Sequence, residues 1–106
     1  MRLDAWPFAL IKSGTKTIEL RLYDDKRSKI KVGDKISFTS RETGESIMVE
    51  VFKLHRADTF FELIDEVGLS KLGVTSKADL LKELEIYYPL NMQQGVGVVG
   101  IEFKKG

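Results

Sequence analysis

The stretch Thr17-Ile18-Glu19-Leu20-Arg21-Leu22 alternates apolar and polar side chains from end to end. A period of two is typical of a β-strand with one buried face, because successive side chains point to opposite faces of a sheet. The alternation predicts that Ile18, Leu20 and Leu22 face the core and that Thr17, Glu19 and Arg21 face outward. Glu19 and Arg21 then share one face, with Lys16 at the mouth of the strand.

A short helix is predicted before this strand. Asp4 is placed to cap the helix, and Pro7 falls in its first turn, where a missing N–H is tolerated. Its buried side would comprise Phe8, Leu10 and Ile11, and Gly14 would end it.

Two further strands are predicted after the alternating stretch. Residues 24–31 are polar and indicate a loop, and Val32-Gly33-Asp34 indicates a tight turn into a strand over residues 35–39. Residues 42–45 favour a hairpin tip, followed by a strand from Ser46 to about Leu54. This strand is apolar on both faces, which predicts a central position in the sheet.

The period changes after residue 58, where two helix starts follow one another. Thr59 with Glu62 and Ser76 with Asp79 both have the spacing of helix caps, and Pro89 ends the second helical pattern. The aromatic residues at helical spacing are expected in the core: Phe60, Phe61, Tyr87 and Tyr88. A closing strand is predicted over residues 96–103, in which Gly97 and Gly100 permit a bulge or close backbone approach.

The order of elements predicts one α+β domain spanning residues 1–106. We expect a small β-barrel of five to six mostly antiparallel strands, with an N-terminal helix and a helical insert before the last strand.

Several functional classes are excluded by composition. The chain has no Cys and one His, which removes disulfide frameworks, thiolate zinc sites, Cys nucleophiles and His-rich metal clusters. We therefore expect no metal and no cofactor, and a hydrogen-bonded structural role for His55. No apolar run approaches the roughly 20 residues that cross a bilayer, so we expect a cytoplasmic protein with no membrane partner.

Charge is segregated along the chain although the net charge is only +1. Residues 12–35 carry eight basic and four acidic side chains, whereas residues 58–87 carry three basic and seven acidic ones. Two interpretations remain open: one side of the molecule attracts phosphate, or the surface is a solvated mixture of charges.

Lys16, Glu19 and Arg21 form the constellation with most chemical promise. A carboxylate flanked by two cations is suited to binding or to proton transfer. The alternative is an exposed ion pair, worth at most about 1 kcal/mol.

The sequence resembles the ASCH domain family, which is homologous to the activating signal cointegrator. The likeness runs through residues 8–27, which include Gly14-x-Lys16-Thr-Ile-Glu-Leu-Arg21, and through residues 30–38, which include Val32-Gly-Asp34. It continues through Leu54-His55-Arg56, Tyr87-Tyr88 and residues 97–101, and so covers nearly the whole chain. Close relatives have a Glu and a Tyr near the end, where this chain has Asn91 and Val96.

The resemblance implies a PUA-like barrel with a cleft beside the KTIELR strand that binds RNA or a small nucleotide-like ligand. Lys16, Glu19 and Arg21 would line the cleft, and Lys12, Lys26, Arg27 and Lys29 are the candidates for phosphate contacts.

The resemblance also leaves catalysis open. Some family members are hydrolases of N4-acetylcytidine, so the alternative function is an amidohydrolase that deacylates a modified nucleoside. Lys16 would be its base or nucleophile, Glu19 would hold the attacking water or shuttle the proton, and Arg21 would stabilise the oxyanion. Glu19 stands where those enzymes have a threonine.

Overall fold

The alternating stretch forms an edge strand in the computed structural model, which describes residues 1–105. The elements of that range in chain order are β1 (Arg2–Leu3), α1 (Ala5–Lys12), β2 (Ile18–Leu22), α2 (Asp25–Ser28), β3 (Lys35–Ser40), β4 (Ser46–Ala57), α3 (Phe60–Val67), α4 (Leu69–Leu72), α5 (Lys77–Tyr87), α6 (Leu90–Val96) and β5 (Val98–Lys105).

The five strands form a single mixed sheet in the order β1-β3-β4-β5-β2. β1 pairs with β3 in parallel, and the other three pairings are antiparallel. The predicted α+β class, the number of strands, the N-terminal helix and the helical insert before the last strand are confirmed. β1 and β2 are the two edges of this half-barrel, so each leaves one side of its backbone without a strand partner.

Apolar side chains pack on both faces of the sheet. On one face Ile18, Leu20 and Val98 contact Phe60, Leu63, Ile64 and Leu72 from α3 and α4. On the other face α1 contributes Phe8 and Ile11, which pack with Leu3, Phe38, Val49 and Phe103. Burial on both faces fixes the register of β2, because a slip by one residue would exchange its two sets of side chains.

β4 is central, as its apolar pattern predicts, but its two faces are not equally covered. Val49 and Val51 are buried, whereas Met48 and Phe52 on the other face are exposed. Lys104 from β5 lies over the Phe52 ring, with its Nζ 4.8 Å from the ring centroid. A register shift between Val51 and Lys53 marks a bulge in this strand.

The helix caps at Thr59 and Ser76 are confirmed, since their side chains accept from the backbone N–H groups of Glu62 and Asp79. Asp4 precedes α1 as expected but makes no capping hydrogen bond with its side chain.

Three short helices were not predicted, namely α2, α4 and α6. α2 forms because Asp24 caps it, its side chain accepting from the N–H of Arg27. The expected start of the last strand at residue 96 is wrong, because Val96 still belongs to α6 and β5 begins at Val98.

Four aromatic residues of the helical insert were expected in the core, and the structure confirms this for two of them. Phe60 is buried and Tyr88 packs against it at 5.7 Å between ring centroids. Phe61 and Tyr87 are exposed. Residues 60 and 61 are neighbours on α3 about 100° apart, so one of them turns away from the sheet, and Tyr88 follows directly after the last residue of α5.

Close backbone approach at the closing strand is confirmed. A Cβ at Gly100 would lie 3.2 Å from Ile18 Cγ2, and a Cβ at Gly97 would lie 3.2 Å from the carbonyl oxygen of Ala57. Within residues 1–105 no helix is both long and apolar enough to cross a membrane.

Gly33 provides a test of the turn before β3. Its φ is +96°, and a Cβ there would meet no atom within 4 Å, so substitution would introduce backbone strain without a clash. We predict that Gly33→Ala lowers the free energy of unfolding by about 1 kcal/mol or more. Chemical denaturation monitored by circular dichroism measures this loss.

Gly95 is the matched control, because it lies in α6 with open space at its Cβ and without a positive φ. Gly95→Ala should leave stability unchanged or raise it by up to about 1 kcal/mol. Equal free energies of unfolding for Gly33→Ala and the wild type would contradict the predicted backbone strain at residue 33.

Candidate functional site

A cavity of about 200 Å³ lies at the open edge of β2. β2 contributes Glu19, Leu20 and Arg21, and β1 with the residue after it contributes Arg2, Leu3 and Asp4. The cavity, called the seam cleft below, therefore lies between the two unpaired edges of the sheet. Its other walls come from α1 (Trp6, Pro7, Leu10) and α5 (Leu80, Glu83, Leu84, Tyr87), with Lys16, Arg41, Leu72, Val74 and Tyr88 completing the lining.

Glu19 is the buried centre of this cleft. Its Oε1 lies 2.9 Å from Lys16 Nζ and its Oε2 lies 2.9 Å from Arg21 Nε. Only 5 % of Glu19 is exposed, so the expectation that it faces outward into solvent is wrong, as is the interpretation of the cluster as an exposed ion pair. Side chains of α1 and α5 line the cavity beside the open edge of β2.

Arg21 connects the two edges of the sheet. Besides its bond to Glu19, its Nη2 donates to the carbonyl oxygen of Arg2 at 3.1 Å. This bond joins β2 to β1, which are not neighbours in the strand order. Glu19 thus fixes the guanidinium in the position from which it bridges the seam.

Lys16 is held by its backbone as well as by its side chain. Its N–H donates to the carbonyl oxygen of Leu10 near the end of α1, as does that of Thr15. On the other side Gly73, at the end of α4, approaches so closely that a Cβ there would lie 3.2 Å from Lys16 Cβ. The lysine therefore enters the cleft from a backbone position that two helices determine.

The main chain of β2 also contributes to the cleft. Phe103 N–H donates to the carbonyl of Thr17, and Tyr23 N–H donates to that of Gly97, so the odd-numbered residues of β2 bond to β5. In an antiparallel pair the intervening residues direct their N–H and C=O groups to the opposite edge. Leu20 lines the cleft, and its backbone donor and acceptor both face the open side of the strand.

Two aromatic residues of the cleft are exposed. Trp6 on α1 is 71 % exposed and Tyr87 on α5 is 60 % exposed. Leu10, Leu72, Val74, Leu80 and Leu84 make the neighbouring wall apolar. A polar, ion-paired floor with an apolar wall and aromatic faces is the usual character of a site for a flat polar ligand.

The candidate residues from the sequence separate into two groups. Lys16, Glu19 and Arg21 come together in the seam cleft. The other four, Lys12, Lys26, Arg27 and Lys29, are not among the described residues that line it. Lys12 pairs with Glu45 at 2.9 Å, and Arg27 pairs with Asp24 at 3.2 Å.

Sequence reasoning missed Arg2, Arg41, Trp6 and Tyr87 as residues of the cleft. Trp6 is the single tryptophan of the chain, which is a weak signal for a binding role. Nothing in the sequence indicates that Arg41, on the β3–β4 turn, contacts the N-terminal segment. Its Nη1 lies 3.1 Å from Asp4 Oδ1. Asn91 and Val96 are exposed on α6 and lie outside the lining of the cleft.

A second buried carboxylate, Glu102, lies on the opposite face of the sheet. It pairs in register with Ile18, so the two side chains share the face that Glu19 does not occupy. His55 Nε2 lies 2.7 Å from its Oε1, and Lys71 Nζ donates to its Oε2 at 3.1 Å. Burial acts to raise the pKa of Glu102, but the hydrogen bonds from His55 and Lys71 and their charges outweigh burial and hold the pKa below its ordinary value.

The Glu102 cluster ties β4, β5 and α4 together, and this agrees with the expected hydrogen-bonded role of His55. Across residues 1–105 no group of three or more His, Asp or Glu side chains is arranged to hold a metal ion.

The chain is similar to known proteins along its whole length. The family model described as the ASCH domain matches residues 1–106. The crystal structure of the hypothetical protein PH0355 is similar with a TM-score of 0.85 and 33 % identity, covering 100 % of both chains. The solution NMR structure of protein PF0455 from Pyrococcus furiosus has a TM-score of 0.73 and 30 % identity, covering 99 % of this chain and 97 % of that one. No curated protein matches the chain.

We expect the ion-paired cluster of Lys16, Glu19 and Arg21 to stabilise the fold. Glu19→Gln would leave Lys16 and Arg21, with side chains only 14 % and 13 % exposed, without their shared carboxylate. Loss of one partner from a largely buried ion pair costs about 3 kcal/mol or more, so we expect a loss of unfolding free energy of that order. Urea denaturation at neutral pH measures it.

Glu83→Gln is the matched control, because Glu83 lines the same cleft from an exposed position on α5. Its stability should lie within about 0.5 kcal/mol of the wild type. Equal effects of the two substitutions would contradict a special role for Glu19.

Proposed function

The chain belongs to the ASCH domain family, and from this premise we propose that it binds RNA or a small nucleotide-like ligand in the seam cleft. Its α+β half-barrel has the PUA-like architecture. The observation that carries the proposal is the fixed cluster of Lys16, Glu19 and Arg21 on the floor of a cavity with an apolar wall.

The chemistry of the cleft suits a nucleotide. Glu19 occupies only one edge of the Arg21 guanidinium, which leaves N–H groups for a phosphate or a base edge. Leu20 adds a backbone donor and acceptor side by side, a pattern that complements the hydrogen-bonding edge of a base. The apolar wall and the two exposed aromatics supply stacking surfaces, which contribute about 1–3 kcal/mol per base.

A net charge of +1 favours a short or single-stranded ligand over a long duplex, whose binding depends on many phosphate contacts. Lys12, Lys26, Arg27 and Lys29 lie outside the cleft and would contact only phosphates of a strand that extends beyond it.

Binding of a short labelled single-stranded RNA tests the proposal. Lys16→Ala and Arg21→Ala should each weaken the affinity by about tenfold or more, because each removes a charge-assisted contact worth about 1–3 kcal/mol. Fluorescence anisotropy at low and at physiological ionic strength measures the affinity, and higher salt should weaken it.

Lys82→Ala is the control, since Lys82 is exposed on α5 and does not line the cleft. Its affinity should match that of the wild type. The absence of binding at low salt, or equal binding by all three variants, would contradict the proposal.

The second candidate function is an amidohydrolase that removes an acetyl group from a modified nucleoside. The observation in its favour is that a lysine, a carboxylate and an arginine meet in one cavity. Water would add to the acetyl carbonyl as Glu19 takes its proton, and Arg21 would stabilise the oxyanion. The C–N bond would then break as Glu19 passes that proton to the leaving amine, which gives acetate and the free nucleoside. An ammonium group already paired with Glu19 suits binding better than proton abstraction, which ranks this candidate second.

Chromatography of N4-acetylcytidine incubated with the protein separates the two candidates. Binding without catalysis predicts no cytidine above the background of Lys16→Ala. Turnover by the wild type that Lys16→Ala abolishes would establish the amidohydrolase instead.

A further inference from the structure

The two ends of the seam cleft differ in charge. Beside Trp6 the cleft adjoins a second depression, which shares Trp6, Val74, Leu80 and Glu83 with it. Among residues 1–105, those that line the depression include the acids Asp79 and Glu83 and no lysine or arginine. This end of the cleft therefore repels a phosphate.

The end formed by β1 is basic. Arg2 and Arg41 both line the cleft there and both are exposed. Arg41 is oriented by Asp4, whereas no carboxylate within residues 1–105 pairs with the guanidinium of Arg2. A planar guanidinium without an acidic partner is suited to bidentate contact with a phosphate.

Trp6 and Tyr87 both line the cavity, and much of the surface of each side chain is exposed. Exposure of two large rings on the rim of one cavity is typical of a binding surface, because folding alone gains nothing from it. A flat, uncharged ring that stacks on them would remove this apolar surface from water.

Given the proposed function, we propose that the seam cleft takes a single terminal nucleotide rather than the interior of a strand. The base stacks at Trp6 and Tyr87, and its phosphate lies at Arg2 and Arg41. A nucleotide inside a strand is joined to phosphates through both the 5′ and the 3′ oxygen of its ribose, and a strand that continues past the two rings carries the second phosphate towards Asp79 and Glu83. A strand end, or a free nucleoside monophosphate, avoids this repulsion.

A linear and a circular single-stranded RNA of the same sequence test the inference, because only the linear molecule has ends. The linear RNA should bind about tenfold tighter or more, since the circle can enter the cleft only as a continuous strand, which carries a second phosphate towards the acidic end. In the double variant Asp79→Asn/Glu83→Gln the ratio of the two affinities should fall to about threefold or less.

The matched control is Glu66→Gln/Glu85→Gln, which removes the same charge from exposed positions on α3 and α5 outside the cleft. Its ratio should equal that of the wild type, and thermal melting verifies that both double variants are folded. A ratio that falls equally in both would contradict the role of Asp79 and Glu83.

Intrinsic fluorescence gives an independent measurement, because Trp6 is the single tryptophan. The four ribonucleoside monophosphates together should quench it at concentrations about tenfold lower than the four nucleosides do. Arg2→Ala/Arg41→Ala should abolish this difference.

The outcomes separate the inference from the proposed function. Equal affinity for linear and circular RNA, or equal quenching by nucleotides and nucleosides, would overturn the strand-end inference and leave RNA binding intact. Failure of both RNAs and all mononucleotides to bind at low salt would overturn the proposed function and the inference with it.

Discussion

The buried carboxylate of Glu19 between Lys16 and Arg21 is the constraint on which the seam cleft depends. A charge in that position is costly unless it is paired, and here both oxygens are paired at 2.9 Å. The pairing orients Arg21, and Arg21 in turn bonds to the backbone of Arg2 across the open side of the half-barrel. One carboxylate therefore determines the polar floor of the cleft and contributes to holding the two edges of the sheet together.

The basic and the acidic segment of the chain both contribute residues to this cleft. The basic segment supplies Lys16 and Arg21 on the floor, and the acidic segment supplies Glu83 from α5 in the wall. The two segments therefore do not form separate faces. They meet in one cavity, whose basic end is formed by Arg2 and Arg41 from outside both segments.

The fold was predictable wherever a local pattern controls the backbone. The alternation in residues 17–22, the caps at Thr59 and Ser76 and the turn at Gly33 are all decided by near neighbours in sequence. The burial of Glu19 was not predictable, because the elements that enclose its cavity include α5 and the β3–β4 turn, which are far from it along the chain. For the same reason Arg2 and Arg41 could not be assigned to the cleft, since only the tertiary fold brings the β3–β4 turn beside β1.

The structure of a crystal soaked with ribonucleoside monophosphates tests the central claim most directly. We expect ligand density in the seam cleft, within hydrogen-bond distance of Arg21 or of the Leu20 backbone, with the base against Trp6 or Tyr87. Density confined to the surface around Lys26 and Lys29, with the cleft empty, would contradict it.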